Sequence, residues 1–307
     1  MAWIGESAPY NTVTSVITVI QTGTNQVVGS ITLLAKASPG AMVFSPDGSR
    51  AYVAAGGSTV DVVNVAKMEA VSAIQTLGSV AGLASPDGAT LLVPNSGSSH
   101  VQAIAQFSGR ELANIPVGAM DSGNQLYLEY GGAAVSLDGT RAYVTNYSSS
   151  NVSVVDTASK RVVTSVPTGS SPVGVVVAPD GSKAYVANSF SNSVTVIETA
   201  SFATKQIPMP HSSYPSSIAV SPDGSHVYVA GNNVPPDFGN APCYIFVIDT
   251  SSNTVVNSIR VALSDGRGGV AGWHEGICRG RIGVPLHYFD RHEYYHEFPA
   301  AGIQRRE

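Results

Sequence analysis

The stretch that decides the fold is SLDGTRAYV, residues 136–144, because four close copies of it recur along the chain. The copies read SPDGSRAYV (45–53), SPDGATLLV (85–93), APDGSKAYV (178–186) and SPDGSHVYV (221–229). Successive copies begin 40, 51, 42 and 43 residues apart. A motif that returns at such intervals indicates a tandem array of one supersecondary unit.

Each unit also contains further short runs in which apolar and polar residues alternate. VSVVDT (152–157) follows SLDGTRAYV, RVVTSV (161–166) comes next, and VGVVVAPDG (173–181) leads into the following copy. Four alternating runs rich in β-branched residues, separated by turn residues, predict four short antiparallel strands. The sequence therefore predicts an all-β fold, a β-propeller of four-stranded antiparallel blades.

The P-D-G tripeptide, L-D-G in one copy, predicts a hairpin turn in each unit. Proline presets the first turn angle, aspartate accepts hydrogen bonds from nearby backbone amides, and glycine adopts the left-handed conformation. We expect Asp156 with Thr157, and Asp249 with Thr250, to cap the next hairpin in the same way. Because the aspartate recurs once in every unit, a turn explains it better than a catalytic or calcium-binding role.

Short signatures after these turns carry a resemblance to a known family. YVTN (143–146), YVAN (185–188) and the divergent LVPN (92–95) are similar to the repeats of the YVTN-type β-propeller family. The match covers residues 12–261, with departures at Leu92, Pro94 and Gly231. The resemblance implies seven blades, as in lactonase-like propellers, and an extracytoplasmic or surface-layer protein of bacteria or archaea. It implies a binding or structural platform and supplies no catalytic residue.

Composition argues against several functional classes. Charged residues make up only 12% of the chain, the net charge is −5, and no basic face for nucleic acid is present. No apolar run is long enough to span a bilayer, and residues 1–11 lack the charged and apolar regions of a signal peptide. Cys243 and Cys278 are isolated, so the sequence predicts neither a thiol-based metal site nor a redox motif, and no cofactor.

The repeats divide the chain into an N-terminal extension (1–11), propeller repeats (12–261) and a C-terminal tail (262–307). Residues 12–34 supply the last two strands of one blade and five full units follow, so the array stops short of seven blades. In the tail the alternation ends and four of the seven histidines occur. A propeller that cannot pair its first and last strands exposes strand edges. We therefore expect a poorly ordered tail and self-association through open edges.

The tail conceals a further repeat in another reading frame. VAGWHEGICR (270–279) can be back-translated into codons that read, one base later, as SPDGTKAYVA. Residues 288–297 permit ISIDTNTIT in the same frame, which is similar to the VSVVDT run. We infer a one-base slip near residues 261–263, in the gene or in its sequencing.

HEYYH (292–296) fits the H-E-x-x-H signature, in which His292 and His296 would hold zinc and Glu293 would activate its water. Such a motif needs a helix, further ligands and a cleft. Pro285 and Pro299 bracket a stretch without helical periodicity, and the shifted reading accounts for its tyrosines and histidines. We interpret the motif as accidental and predict no metal site there.

Two insertions carry the candidate binding residues. Residues 119–130 lie in a connection between blades, and residues 232–243 lie between the second and third strands of a unit. Both emerge on one face of a propeller, which we call the long-loop face. The predicted ligand- or partner-binding residues are Tyr127, Glu129, Tyr130, Asp237 and Phe238. They would suit a polar ligand, a glycan or a protein partner, whereas the plainer alternative is that the loops only cover the blade ends.

The sequence leaves two functions from different classes open. The first is a non-enzymatic platform that binds a partner or forms part of a surface layer. The second is a lactonase-like or lyase-like enzyme with its site in the central channel. The in-frame units show no histidine paired with carboxylates at matched positions, which favours the platform, but fold alone does not confer chemistry.

We predict that resequencing the gene around codon 262 finds a one-base slip, because a sixth SPDG unit in the corrected frame would continue the repeat at its usual interval. Nucleotide data with no hidden repeat beneath the last 46 codons would contradict this prediction.

Overall fold

The computed structural model describes residues 2–6, 15–35, 39–55, 57–96, 98–119, 132–210, 213–232 and 243–261. Within these ranges the chain forms 23 strands and no helix. Accordingly, no helix that could cross a membrane is found in the part of the chain that the structure describes. The prediction of an all-β protein is confirmed.

The strands form six antiparallel sheets, numbered here as blades 1 to 6 in chain order. Blade 1 contains β1 (Ala2–Glu6), β2 (Val16–Gln21) and β3 (Gln26–Thr32). Blade 2 contains β4 (Met42–Phe44), β5 (Arg50–Ala54), β6 (Thr59–Asn64) and β7 (Glu69–Gln75), and blade 3 contains β8 (Ser79–Val80), β9 (Thr90–Ser96), β10 (His100–Ala105) and β11 (Glu111–Pro116).

Blades 4 to 6 repeat the same arrangement. Blade 4 contains β12 (Ala133–Val135), β13 (Arg141–Asn146), β14 (Asn151–Asp156) and β15 (Arg161–Pro167). Blade 5 contains β16 (Pro172–Val177), β17 (Lys183–Asn188), β18 (Ser193–Glu198) and β19 (Thr204–Pro208). Blade 6 contains β20 (Pro215–Val220), β21 (His226–Asn232), β22 (Cys243–Asp249) and β23 (Thr254–Val261). In each four-stranded blade, strands adjacent in sequence are adjacent in the sheet.

Blade 1 contains a strand that the sequence pattern did not reveal. β1 lies in the segment assigned to an N-terminal extension and pairs with β2 from Ala2↔Ile20 to Glu6↔Val16. It occupies the position beside β2 that β5 occupies beside β6. A five-residue run carries too little periodicity to be recognised alone, whereas the unpaired edge of β2 can hold it through backbone hydrogen bonds. The predicted tail, 262–307, with His292, Glu293 and His296, lies outside the described residues.

The hydrophobic core is divided among the interfaces between consecutive blades. One cluster, for example, joins Tyr143 and Val154 of blade 4 to Val186 and Ile197 of blade 5. Four similar clusters join the other pairs of neighbouring blades. The second and third strands of a blade are therefore buried on both faces, which explains their nearly continuous apolar runs. Fourth strands such as β15 alternate between exposed and buried residues.

The turns match the sequence prediction. Gly48, Gly88, Gly139, Gly181 and Gly224 all have positive φ, between 68° and 72°. The preceding aspartate accepts hydrogen bonds within the turn, as when Ser225 N donates to Asp223 Oδ1 at 2.9 Å. Asp156 Oδ1 likewise accepts from Ser159 N at 2.7 Å, and Thr157 Oγ1 donates to the Gly139 carbonyl at 2.6 Å. Each threonine of this kind ties the third-to-fourth-strand hairpin to the P-D-G turn of its own blade.

These hydrogen bonds favour the charged form of the turn aspartates. The Ser221 hydroxyl, together with the amide and hydroxyl of Ser225, lowers the pKa of Asp223 to about 2. Ser45 and Ser49 do the same to Asp47, whose pKa is also lowered to about 2. Because the ordinary value is 3.8, the unfolded chain takes up protons first as the pH falls. The stabilisation is complete above about pH 4 and is lost as the pH falls towards 2.

We predict that acid lowers the melting temperature through these carboxylates. Between about pH 5 and about pH 2 the wild type should lose more stability than the variant Asp47→Asn/Asp223→Asn, because asparagine still accepts hydrogen bonds but does not titrate over this range. Thermal melts followed by circular dichroism at each pH provide the measurement. Equal losses in the two proteins would show that the turn aspartates do not couple folding to protons.

Candidate functional site

The predicted binding residues Tyr127, Glu129, Tyr130, Asp237 and Phe238 lie outside the described residues. The structure does describe the chain at the roots of their two loops, at Ala119 and at Gly231 and Asn232. Both roots lie at the ends of the blades opposite the P-D-G turns, since one follows β11 and the other follows β21. The described roots of both loops therefore lie at the long-loop face.

The first root is held against blade 4. Ala119 N donates to Ser149 Oγ at 2.6 Å. The Ala119 carbonyl in turn accepts from Ser148 N at 3.0 Å and Ser149 N at 3.2 Å. Ser148 and Ser149 follow Tyr147 in the loop between β13 and β14, so Ala119 lies against the loop that begins with Tyr147.

The second root is packed against the connection between blades 5 and 6. A side chain at Gly231 would clash with the Ser213 carbonyl, so the close approach of these two segments requires glycine. Ser213 is fully buried and is followed by Tyr214, whose φ of 37° lies in the left-handed region. Such a conformation is strained for an aromatic residue and persists only where its surroundings fix it. Gly231 therefore lies close to the segment that carries Tyr214.

Between these two roots lies a set of three aromatic side chains, here called the aromatic row: Tyr147, Phe190 and Tyr214. The ring centroids of Tyr147 and Phe190 are 6.3 Å apart, those of Phe190 and Tyr214 are 6.4 Å apart, and both pairs are T-shaped. Tyr147 is buried, with 7% of its surface exposed, whereas Phe190 is 54% exposed. Edge-to-face contacts of this kind are favourable, so the two tyrosines support a phenylalanine that projects into solvent.

The Asn192 side chain joins the segments that carry Phe190 and Tyr214. Its Oδ1 accepts from Ser213 N at 2.7 Å, and its Nδ2 donates to the Met209 carbonyl at 3.1 Å. The Met209 amide also donates to the Asn192 carbonyl at 3.0 Å. The loop that carries Phe190 and the connection that carries Tyr214 are thus joined by three hydrogen bonds. Such fixing reduces the entropy lost when a ligand binds.

Charge is distributed unequally between the two ends of the blades. The described loops and connections of the long-loop face contain no Asp, Glu, Lys or Arg. They are composed mainly of serine, glycine, alanine and threonine together with the aromatic row. The opposite end carries the turn aspartates and the cations Arg50, Arg141 and Lys183. Arg141 Nη1 donates to the Thr199 carbonyl of blade 5 at 3.3 Å, so these cations bridge neighbouring blades.

A buried polar position in the third strand attaches four of the blades to the preceding connection. Thr195 Oγ1 accepts from Gly169 N at 3.2 Å and from Asn188 Nδ2 at 2.8 Å. In blade 2 Asp61 occupies this position, and its Oδ2 accepts from the amides of Leu34 and Ala35 at 2.5 and 3.1 Å. Burial raises the pKa of Asp61, and the two amides oppose part of the rise. The signature asparagine therefore has a structural role.

Blade 6 replaces this polar pair by an apolar one. Phe246 occupies the position of Thr195, and Gly231 occupies the position of Asn188. The phenylalanine side chain is 1% exposed and joins the cluster between blades 5 and 6. The absence of the asparagine at Gly231, which the sequence shows only as a departure from the family pattern, thus accompanies a change of partner in the adjacent strand.

A small cleft lies at the opposite end of the molecule, between the P-D-G turns of blades 5 and 6. It has a volume of about 120 Å³ and is lined by Asp180, Ser182, Lys183, Tyr185 and Asp223, among others. Burial and the carboxylates of Glu198, Asp180 and Asp249 raise the pKa of Tyr185 to about 12. The Tyr185 hydroxyl therefore stays protonated near neutral pH and is not a base there.

The innermost strands offer little chemistry to a central channel. They are β4, β8, β12, β16 and β20, of which β12, β16 and β20 lie in contact across neighbouring blades. Their sequences are MVF, SV, AAV, PVGVVV and PSSIAV, and no side chain in them titrates. Within the described ranges, no group of three or more His, Cys, Asp and Glu side chains could hold a metal ion.

Comparison with known proteins supports the fold. No protein-family model and no curated protein matches the chain. A solved structure of hydrazine synthase from Kuenenia stuttgartiensis is 27% identical, with a TM-score of 0.52, and the match covers 59% of this chain and 49% of that chain. A putative 6-phosphogluconolactonase from Bacteroides uniformis is 16% identical, with a TM-score of 0.63, over 85% of this chain and 81% of that chain.

The two structural comparisons support different conclusions. The chain spans about half the length of the hydrazine synthase chain. At 16% identity the likeness to the lactonase-like protein shows the fold alone. Together with the six sheets, the comparisons confirm a β-propeller of antiparallel blades. Membership of the YVTN-type family stays a prediction.

The sequence pattern did not reveal the aromatic row. Tyr147 comes one residue after the signature Asn146 and Phe190 two residues after Asn188, and this nearness to the signature was the available signal. Tyr214 precedes Pro215 in a connection, where nothing in the sequence links it to Phe190. Their contact depends on how consecutive blades are packed.

We predict that Asn192→Gly destabilises the protein by about 1–3 kcal/mol, because the buried Ser213 amide loses its acceptor. Glycine is the appropriate replacement because Asn192 has a φ of 50°. Ser150→Gly is the matched control, since Ser150 has the same φ and its side chain makes no hydrogen bond among the described residues. Urea denaturation gives the free energy of unfolding. Equal losses in the two variants would contradict the role assigned to the Asn192 side chain.

Proposed function

We propose that this propeller is a non-enzymatic binding platform that engages its ligand or partner on the long-loop face, at the aromatic row. The exposed Phe190 is the observation that carries the proposal, because it projects from a rigid support between the roots of the two longest loops. Recognition commonly lies on loops that a rigid scaffold positions. The extracytoplasmic or surface-layer location implied by the family resemblance belongs to this proposal.

The composition of the face is consistent with recognition. Aromatic side chains provide contact area at small entropic cost, and serine, glycine and asparagine provide adaptable hydrogen bonds. The face combines these residue types in the loops YSSS (147–150) and SFSN (189–192). The bonds from Asn192 and Ser149 keep these loops in place, which favours tight binding through preorganisation.

The enzymatic alternative would place a site in the channel. It gains some support from the fold shared with a protein described as a putative 6-phosphogluconolactonase. In the described chain, however, the innermost strands contribute only uncharged side chains that do not titrate. General acid–base catalysis needs a group that exchanges a proton near the working pH. A platform is therefore the function that the described residues support better.

We predict that the wild type binds targets on printed arrays of oligosaccharides and of bacterial surface proteins, and that Phe190→Ser abolishes this binding. Leu137→Ser is the matched control, because Leu137 is 81% exposed but lies in a turn at the opposite end of blade 4. A parallel screen with simple lactones, with and without divalent metal ions, tests the enzymatic alternative. Binding that is unaffected in Phe190→Ser, or turnover of a lactone by the wild type, would refute the proposed function.

A further inference from the structure

The cleft between the P-D-G turns of blades 5 and 6 contains a buried hydroxyl group. Tyr185 lines this cleft and is fully buried, and its hydroxyl has no hydrogen-bond partner among the described residues. Since an unpaired buried hydroxyl is costly, it indicates a place for a bound partner. We propose that the cleft binds a guanidinium group, either of an arginine side chain or of a free guanidinium compound. This site lies at the end opposite the aromatic row and is independent of the proposed function.

Two equivalent tyrosines show which groups occupy this position elsewhere in the chain. Tyr52 of blade 2 and Tyr143 of blade 4 stand at the same place in their repeats as Tyr185. The Tyr52 hydroxyl donates to Gln106 Oε1 of blade 3 at 2.9 Å. Burial raises the pKa of Tyr143, and the charge and hydrogen bond of Arg141 oppose the rise. Both hydroxyls therefore have a polar side chain beside them.

In blade 5 a lysine replaces the arginine. Lys183 stands at the repeat position of Arg141. Its ammonium donates to the Thr250 carbonyl at 3.3 Å, as Arg141 Nη1 donates to the Thr199 carbonyl at 3.3 Å. A guanidinium spreads five N–H donors over a planar fork, whereas an ammonium is a compact group. Thr250 Oγ1 is also engaged, because it donates to the Gly224 carbonyl at 2.7 Å. The lysine therefore leaves space where an arginine fork would lie.

The size of the cleft fits a small planar group. Its volume is about 120 Å³. A water molecule occupies about 30 Å³ of the liquid, whereas an apolar cavity of about 150 Å³ is large enough for benzene. Ser182 is exposed and Tyr185 is buried, so the cleft runs inward from the surface. A guanidinium group can therefore enter it and reach the hydroxyl.

The charges around the cleft favour a cation. Asp180 and Asp223 line it, and hydrogen bonds from nearby serine residues lower the pKa of both carboxyls. Two further carboxylates, those of Glu198 and Asp249, act on the tyrosine hydroxyl through their charge. Among the described lining residues, the only cation is Lys183. Negative charge therefore exceeds positive charge at this place.

A guanidinium group suits these side chains better than a metal ion does. Within the described ranges, no three His, Cys, Asp or Glu side chains are arranged so that they could hold a metal ion. A guanidinium needs fewer carboxylates, because its planar fork pairs with one carboxylate and keeps donors for other acceptors. Asp180 and Asp223 are exposed at the mouth, and the Tyr185 oxygen at the inner end can accept a further N–H.

Titration of the full chain with methylguanidinium, followed by NMR, tests the proposal. The amide signals of Ser182 and Gly224 report on the cleft, and that of Gly48, in the turn of blade 2, is the reference. Methylammonium carries the same charge without the fork, and methylurea has a similar planar shape without the charge. Methylguanidinium should bind about tenfold more tightly than either, because each lacks part of the charged hydrogen bonding. High salt should weaken this binding, since the carboxylates are exposed.

Substitutions locate the binding in the cleft. Lys183→Arg should abolish it, because the new guanidinium would fill the space, whereas the exposed Lys67→Arg between β6 and β7 should bind as the wild type does. Tyr185→Phe and Asp223→Asn should each weaken binding about tenfold, since each removes a partner of the ligand. Tyr185→Phe should leave the melting temperature unchanged, whereas Tyr52→Phe should lower it, because the Tyr52 hydroxyl loses a bond within the chain.

N-acetyl-arginine amide separates the two sources of the group. Binding as tight as that of methylguanidinium assigns the site to an arginine side chain, whereas binding of methylguanidinium alone assigns it to a free compound. The proposal is overturned if methylguanidinium binds no more tightly than methylammonium and methylurea, or if Lys183→Arg binds it as the wild type does. Melting curves establish that each variant is folded. If Lys183→Arg does not fold, undiminished binding by Asp223→Asn overturns the proposal instead.

Discussion

The structure depends on the burial of each blade between its two neighbours. A four-stranded sheet of this kind cannot bury both faces of its central strands alone, so the apolar residues of β13 or β17 need the sheets before and after them. Specific hydrogen bonds also connect each of several blades to an adjoining segment of the chain. Thr195 and Asp61 attach their blades to the preceding connection through backbone amides, and Arg141 reaches the following blade at the other end.

This packing also explains why the two ends of the blades differ. At the P-D-G end each turn must be closed locally, and aspartate does so through short hydrogen bonds to serine or threonine. At the long-loop end the chain passes from one blade to the next, and backbone and serine groups make most of the contacts. Among the described residues, the loops of the second end therefore lack the charges that turn formation requires, and these loops can vary without loss of the turns.

The aromatic row results from the same arrangement. Tyr147 comes from the loop of blade 4, Phe190 from the loop of blade 5 and Tyr214 from the connection into blade 6. Consecutive blades bring the Phe190 ring within 6.4 Å of each of the two tyrosine rings. Tyr214 has a strained backbone and follows Ser213, whose amide donates a hydrogen bond to Asn192 Oδ1. The Ser213 carbonyl lies so close to residue 231 that only glycine fits there. The repeated blades therefore hold the aromatic row in place, whereas the aromatic residues themselves are not part of the repeat motif.

The sequence by itself determined the repeat, the four-stranded blade and the P-D-G turns. These follow from local rules, since the alternation of side chains and the conformations of glycine and proline act over a few residues. Tertiary structure alone decided that residues 2–6 pair with β2, that Asp61 and Thr195 share one structural role, and that Tyr147, Phe190 and Tyr214 meet. These contacts join segments far apart in the chain, and only the packing of one blade on the next brings them together.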